Sequence, residues 1–106
     1  MKKYKIPDNI KFYKKSQKTI KKIVLTNLPK NVEVYLFGSG VTKNHSYNSD
    51  IDVAIIPKSD FDERMIFKIK DLIEESYVPF KVDIIDLRKV SSEFKGEVFK
   101  KGKKWR

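Results

Sequence analysis

The sequence contains no cysteine, a single histidine and no long run of apolar residues. Without cysteine the chain forms neither disulfide bonds nor thiolate metal sites. No apolar segment is long enough to span a bilayer, and the lysines near the N-terminus are not followed by the apolar stretch of a secretory signal. We therefore expect a cytoplasmic protein that does not associate with membranes.

Acidic residues are also scarce: 14 acidic side chains stand against 24 basic ones, which gives a net charge of +10. Such a surface attracts polyanions, whether RNA, DNA, nucleotides or an acidic protein. The basic residues are mostly lysine, which offers a point charge and lacks the planar fork with which arginine recognises phosphate. The charge is therefore equally consistent with an ordinary solvated surface.

The length of 106 residues, 40% of them apolar, predicts one globular domain over residues 1–106 with a single modest core. No internal repeat and no linker divides the chain. The hydrophobic pattern predicts the order α, β, β, α, β, α. A basic amphipathic helix over about residues 9–27 is followed by strands over residues 32–37 and 51–56. A second helix to about residue 76, a strand over residues 81–87 and a short helix through residue 99 complete the order.

The ends of these elements carry further signals. Ser59 is the predicted N-cap of the second helix, and Ser91 or Ser92 that of the last one. Strand 51–56 is apolar at nearly every position, which indicates that both of its faces are covered. The helix between the last two strands suggests a crossover. We expect an α/β (α+β) fold, a small mixed sheet with flanking helices, and a frayed tail over residues 100–106.

Three aspartates stand out against the apolar strands. Residues two apart in a strand point to the same face, so Asp50 and Asp52 would project together while Ile51 points into the core. Asp83 lies inside the last predicted strand and would complete a cluster of three if the two strands are neighbours in suitable register. Crowded carboxylates repel each other, and a divalent cation relieves that repulsion. Oxygen ligands favour Mg²⁺ or Mn²⁺.

Gly38 and Ser39 follow the first strand directly. Glycine lets the backbone turn and approach a ligand closely, the N–H groups that follow can hold phosphate oxygens, and the Ser39 hydroxyl adds a donor. A phosphate-binding segment beside a cluster of metal-binding carboxylates predicts a site for a metal-bound nucleoside triphosphate.

Two other polar residues are assigned no role in this site. Asp86 falls on the opposite face from Asp83 and is interpreted as a strand-end residue, and His45 is interpreted as an ordinary loop residue.

The arrangement Gly38-Ser39, ten intervening residues and then Asp50-Ile51-Asp52 resembles the signature of the nucleotidyltransferases of the DNA polymerase β superfamily. In those enzymes a third aspartate lies on a later strand, at the position of Asp83 here. The resemblance covers roughly residues 20–88 and implies the polymerase β-like fold. The short length is similar to that of the minimal nucleotidyltransferases, which commonly occur beside a HEPN partner protein.

The resemblance implies a metal-dependent protein adenylyltransferase in which Asp50, Asp52 and Asp83 bind two Mg²⁺ ions, or Mn²⁺, across the triphosphate of ATP. Gly38 and Ser39 would steady the phosphates, and Asp83 would help to deprotonate the acceptor. The acceptor would be a tyrosine of a HEPN ribonuclease toxin, which makes this chain the antitoxin. The family often has Arg-Gly where this chain has Thr42-Lys43, and Lys43 then supplies the positive charge.

Two alternatives stay open at this point. A non-catalytic module would keep the fold and neutralise an acidic partner protein by covering it, with the basic first helix as the docking surface. Nucleotidyl transfer to RNA is compatible with the net charge, but 106 residues leave little room for a domain that recognises the acceptor.

Overall fold

The structure is a computed structural model that describes residues 6–37 and 51–106, with side chains from residue 11 onward. In chain order the described elements are α1 (Ile6–Asn27), β1 (Glu33–Phe37), β2 (Ile51–Ile56), α2 (Arg64–Glu74), β3 (Val82–Asp86), a 3₁₀ turn (Leu87–Lys89), α3 (Ser92–Lys101) and β4 (Lys103–Lys104). The predicted order is confirmed, with the 3₁₀ turn and β4 added. None of the helices described here is long and apolar enough to cross a membrane.

The strands form one mixed sheet in the order β3-β2-β1-β4. β1 lies antiparallel to both β2 and β4, whereas β2 and β3 run parallel. A parallel pair needs a crossover connection, and α2 supplies it between β2 and β3. The predicted mixed sheet with a helical crossover is therefore confirmed.

Helices cover both faces of the sheet. α1 and α2 pack on one face, where the core includes Val34 of β1 and Ile51, Val53 and Ile55 of β2. The smaller core on the other face contains Ala54 of β2 with Leu87 and Val98, the last of these from α3. β2 therefore contacts apolar side chains on both faces, as its nearly continuous apolar sequence predicted.

The apolar stripe of α1 faces the sheet. Tyr13, Ile20 and Val24 are fully buried, and complete burial of such a side chain contributes about 1.5–3 kcal/mol. The lysines of the same helix are exposed. The helix ends at Asn27, whose side-chain amide donates to the Ile23 carbonyl over 2.8 Å. This end agrees with the one predicted from the sequence Asn27-Leu28-Pro29.

The prediction that Ser59 caps the second helix is wrong. α2 begins at Arg64, and its N-cap Glu63 makes no side-chain capping bond. The Asp62 carboxylate accepts the Arg64 backbone N–H and the Arg64 guanidinium, each over 3.0 Å, so a local turn delays the start of the helix. The prediction for α3 is confirmed at Ser91, whose hydroxyl accepts the Phe94 N–H over 3.1 Å.

The prediction of a frayed tail is also wrong. β4 pairs with β1, and the Trp105 N–H donates to the Val34 carbonyl over 2.8 Å. The Arg106 guanidinium donates to backbone carbonyls at the end of α1, over 3.2 Å to Leu25 and 3.3 Å to Leu28. The last carbonyls of a helix have no intrahelical donor and carry partial negative charge, so a guanidinium there is stabilising.

We predict that Arg106→Ala lowers the free energy of unfolding by about 1–2 kcal/mol, because the carbonyls of Leu25 and Leu28 lose their donors. Urea unfolding followed by circular dichroism measures this. Arg64→Ala is the matched control, since the Arg64 side chain is exposed and, among the described residues, forms its hydrogen bonds and ion pair with its neighbour Asp62. Equal stability of the two variants would contradict the assigned role of Arg106.

Candidate active site

The parallel pairing of β2 and β3 brings two of the three predicted aspartates together. Asp52 and Asp83 are register partners, and partners on adjacent strands lie about 4.8 Å apart with side chains on the same face. The Ile51 N–H donates to the Lys81 carbonyl over 2.8 Å, which fixes the starts of both strands. The neighbour relation on which the predicted cluster depended is therefore present for this pair.

The direction of the pair follows from the residues around it. Ile51 and Val53 are fully buried in the core under α1 and α2, so Asp52 between them faces the α3 side of the sheet. Ala54 and Ile85, the next pair on that face, belong to the core under α3. Asp52 and Asp83 are both half-buried. The two carboxylates thus lie where the α3-side core ends.

Phe37 lies in the same row as the two aspartates, because it is the register partner of Asp52 on β1. Its ring packs edge-on against Phe94 of α3, with centroids 5.5 Å apart. This aromatic pair forms an apolar wall on the β1 side of Asp52. Gly38 follows Phe37 in the chain, so the predicted phosphate-binding sequence begins one residue after this row.

Several predicted site residues lie outside the described residues: Gly38, Ser39, Lys43 and Asp50. The structure therefore does not test their predicted roles. Asp50 remains two residues before Asp52 in the chain.

The donor set suits a hard divalent cation. Adjacent carboxylates repel each other, and Mg²⁺ or Mn²⁺ between their oxygens would remove that repulsion. Among the side chains of residues 11–37 and 51–106 no group of three or more histidine or acidic residues is placed to hold a metal ion. The predicted third ligand, Asp50, belongs to the part outside those ranges.

A groove of about 560 Å³ borders Asp83 at the start of β3. Its walls combine apolar residues, Val78 and Phe80 among them, with the charged side chains Lys70, Glu74 and Lys81. Sequence reasoning did not identify these residues, because lysine and glutamate occur throughout the chain and the lining comes from α2, from β3 and from the segment between them. The one available signal was the position of Lys81 and Val82 next to Asp83.

Asp86 has a different environment from Asp83, as the alternation along β3 predicted. It is buried and caps the 3₁₀ turn, accepting the Arg88 backbone N–H over 2.9 Å and pairing with the Arg88 guanidinium at 2.9 Å. Burial raises the pKa of Asp86, but the hydrogen bonds from Arg88 and the charges of Arg88 and Lys89 lower it more, so the pKa lies below its ordinary value. Asp86 is thus a structural strand-end residue.

Asp52 and Asp83 thus lie side by side near the starts of two parallel strands, and the neighbouring antiparallel strand is followed in the sequence by Gly38 and Ser39. The model of the family described as "Polymerase beta, Nucleotidyltransferase" matches residues 9–104. The chain belongs to this family, which confirms the family and the fold predicted from the sequence.

Named relatives are similar over most of this chain. A Haemophilus influenzae protein described as a probable protein adenylyltransferase MntA is 32% identical over 88 residues, which are 83% of this chain and 76% of that protein. The protein adenylyltransferase MntA of Shewanella oneidensis is 31% identical over 88 residues, and the match spans 63% of its length.

Solved structures agree with this relationship. A toxin–antitoxin crystal structure with AMP-PNP contains a chain that is 31% identical, with a TM-score of 0.67 over 86% of this chain and 72% of that one. A structure of a tri-AMPylated Shewanella oneidensis HEPN toxin with its MNT antitoxin contains a match at 28% identity and a TM-score of 0.63, over 89% of this chain and 71% of that one.

We predict that Asp86→Asn lowers the free energy of unfolding by about 2 kcal/mol at pH 7, because charged hydrogen bonds to Arg88 are lost. A carboxyl group whose pKa is lowered by folding stabilises the protein when the pH is above the ordinary pKa of that group. This stabilisation is lost as the pH falls through the pKa of the group in the folded protein. The difference between wild type and variant should therefore close below about pH 4. Urea unfolding at a series of pH values measures it, and a constant difference would contradict the ionic role.

Proposed function

We propose that this protein is an adenylyltransferase that moves AMP from ATP to a tyrosine of a HEPN toxin and thereby acts as an antitoxin. The observation that carries the proposal is the register pair Asp52–Asp83, in a chain of this family whose named relatives are protein adenylyltransferases. A related toxin–antitoxin complex contains an ATP analogue, and in another the toxin is AMPylated three times.

In this proposal the protein holds two Mg²⁺ ions, or Mn²⁺ in their place, through the carboxylates of Asp50, Asp52 and Asp83. The metal, when bound, withdraws charge from the triphosphate and stabilises the entering and leaving oxygens. One MntA complex was crystallised with two aspartates, spaced as Asp50 and Asp52 are, both changed to glutamate.

The other proposed roles belong to Asp83, to the sequence that follows β1 and to the Phe37–Phe94 pair. Asp83 accepts the proton of the acceptor hydroxyl, whose oxygen forms a bond to the α-phosphorus of ATP while the bond to pyrophosphate breaks. Gly38 and Ser39 hold phosphate oxygens, and Lys43 adds a positive charge. The Phe37–Phe94 wall limits the access of water to Asp52 from the β1 side.

We predict that Asp52→Asn and Asp83→Asn each weaken the metal-dependent binding of ATP by at least about tenfold, since each removes a charged oxygen ligand. Isothermal titration with Mg·ATP, and with ATP in the presence of chelator, measures this. Asp60→Asn, the same change at an exposed carboxylate, should bind as the wild type does. Unchanged Mg·ATP binding by both site variants would contradict the assignment.

We also predict that co-expression with a HEPN toxin adds the mass of one or more AMP groups to the toxin, and that Asp83→Asn abolishes the addition. Intact-mass spectrometry of the purified complex is the measurement. Asp86→Asn should retain the modification, because Asp86 points away from the site. Neutralisation of the toxin by wild-type protein with no change in its mass would instead identify a non-catalytic antitoxin.

A further inference from the structure

A second concave surface lies between α1 and the β4 edge of the sheet, a groove of about 280 Å³. We call it the lysine groove. Basic side chains from two elements dominate its lining, which among the described side chains comprises Lys14, Gln17, Lys18, Lys21, Leu36, Lys103 and Trp105. Leu36 belongs to the core under α1 and α2, so the groove opens on the face opposite to Asp52 and Asp83.

The charge of the lysine groove is not neutralised from within the described part of the chain. Among the described side chains, those of residues 11–37 and 51–106, no carboxylate lines the groove and none forms an ion pair with any of its four lysines. Lys104, on the other side of β4, differs because it pairs with Glu33 at 3.5 Å. The lysine groove is therefore suited to an anionic ligand.

The spacing of the helical lysines suits an extended ligand. Lys14, Lys18 and Lys21 are four and three residues apart, so they share one face of α1 and span about 10 Å along it. Lys103 faces them from β4, as the register partner of Leu36. A single small anion would reach one or two of these ammonium groups, whereas a chain of phosphates would reach all four.

Trp105 gives the lysine groove a planar apolar surface. Its backbone N–H donates to the Val34 carbonyl over 2.8 Å, and its side chain packs against the core, so the indole is held at the edge of the sheet. Single-stranded nucleic acids bind to basic grooves that offer an aromatic ring for base stacking. An acidic polypeptide would also bind the ammonium groups, but its charged residues carry no aromatic ring. In a polynucleotide, by contrast, each phosphate is accompanied by a base that can stack on Trp105.

We propose that the lysine groove binds a single-stranded polynucleotide, with phosphates on Lys14, Lys18, Lys21 and Lys103 and a base against Trp105. This site does not depend on the proposed adenylyl transfer, since it uses the opposite face of the sheet. RNA and DNA share the chemistry that it recognises.

The test uses the full chain and short oligouridylate or oligothymidylate probes. Trp105 is the one tryptophan in the sequence, so its fluorescence reports occupancy of the lysine groove directly. We expect quenching on titration, and a loss of affinity of about tenfold or more in a Lys14→Ala, Lys18→Ala, Lys21→Ala triple variant at low salt. The slope of log affinity against log salt should become shallower by about 2 in that variant.

The matched control removes the same charge from the neighbouring face of the same helix. A Lys11→Ala, Lys15→Ala, Lys22→Ala triple variant should bind within about twofold of wild type, because diffuse charge contributes less than direct phosphate contact. Circular dichroism establishes that both variants are folded. Equal losses in the two triple variants would overturn the proposal, since they would show attraction by overall charge alone.

Two further measurements separate a polynucleotide site from its rivals. Trp105→Leu, followed by the anisotropy of a labelled oligouridylate, should weaken binding several-fold because base stacking is lost. Polyglutamate of equal charge should bind at least tenfold more weakly than the oligouridylate. Equal binding of polyglutamate would assign the groove to acidic protein, and displacement of the probe by Mg·ATP would place it in the active site; either result overturns the proposal.

Discussion

The parallel register of β2 and β3 is the constraint on which the candidate active site depends. It is set by the core under α1 and α2, where Ile51, Val53 and Ile55 are fully buried and Val82 and Ile84 pack beside them. A slip of one residue would turn Asp83 toward that core, and an unpaired carboxylate in apolar surroundings is strongly destabilising. Apolar packing on one face of the sheet therefore holds the two carboxylates side by side on the other.

The features that sequence reasoning found are those encoded locally. Alternation along a strand has a period of two, so the opposite directions of Asp83 and Asp86 follow from parity once β3 is recognised. The continuous apolar sequence of β2 likewise indicated cover on both faces. The adjacency of Asp52 and Asp83 was a conditional prediction, because nothing local to either strand states which strand lies next to it.

The features that sequence reasoning missed are those determined by distant partners. β4 consists of two lysines and has no hydrophobic pattern, and it exists because the edge of β1 offers free backbone groups to it. Arg106 is fixed by the carbonyls of Leu25, Leu28 and Pro29, more than 70 residues earlier in the chain. The wrong prediction that Ser59 is the N-cap of α2 differs from these two cases, because its cause is local. The turn that Asp62 forms with Arg64 competes with a cap at Ser59, and Asp62 is equally visible in the sequence.

The edges of the sheet explain how so short a chain carries surfaces of different character. Just after β3 two cations are paired, Arg88 with Asp86 and Lys89 with Glu63. From residue 11 to its end α1 has six lysines and no acidic residue, so this stretch carries six positive charges with no compensating acidic side chain. The docking of β4 and Arg106 brings Lys103 and Trp105 to this helix. The C-terminal residues 103–106, which have no hydrophobic pattern, thus turn the basic face of α1 into one wall of a groove. A groove can select a ligand by its shape, whereas an open charged face cannot.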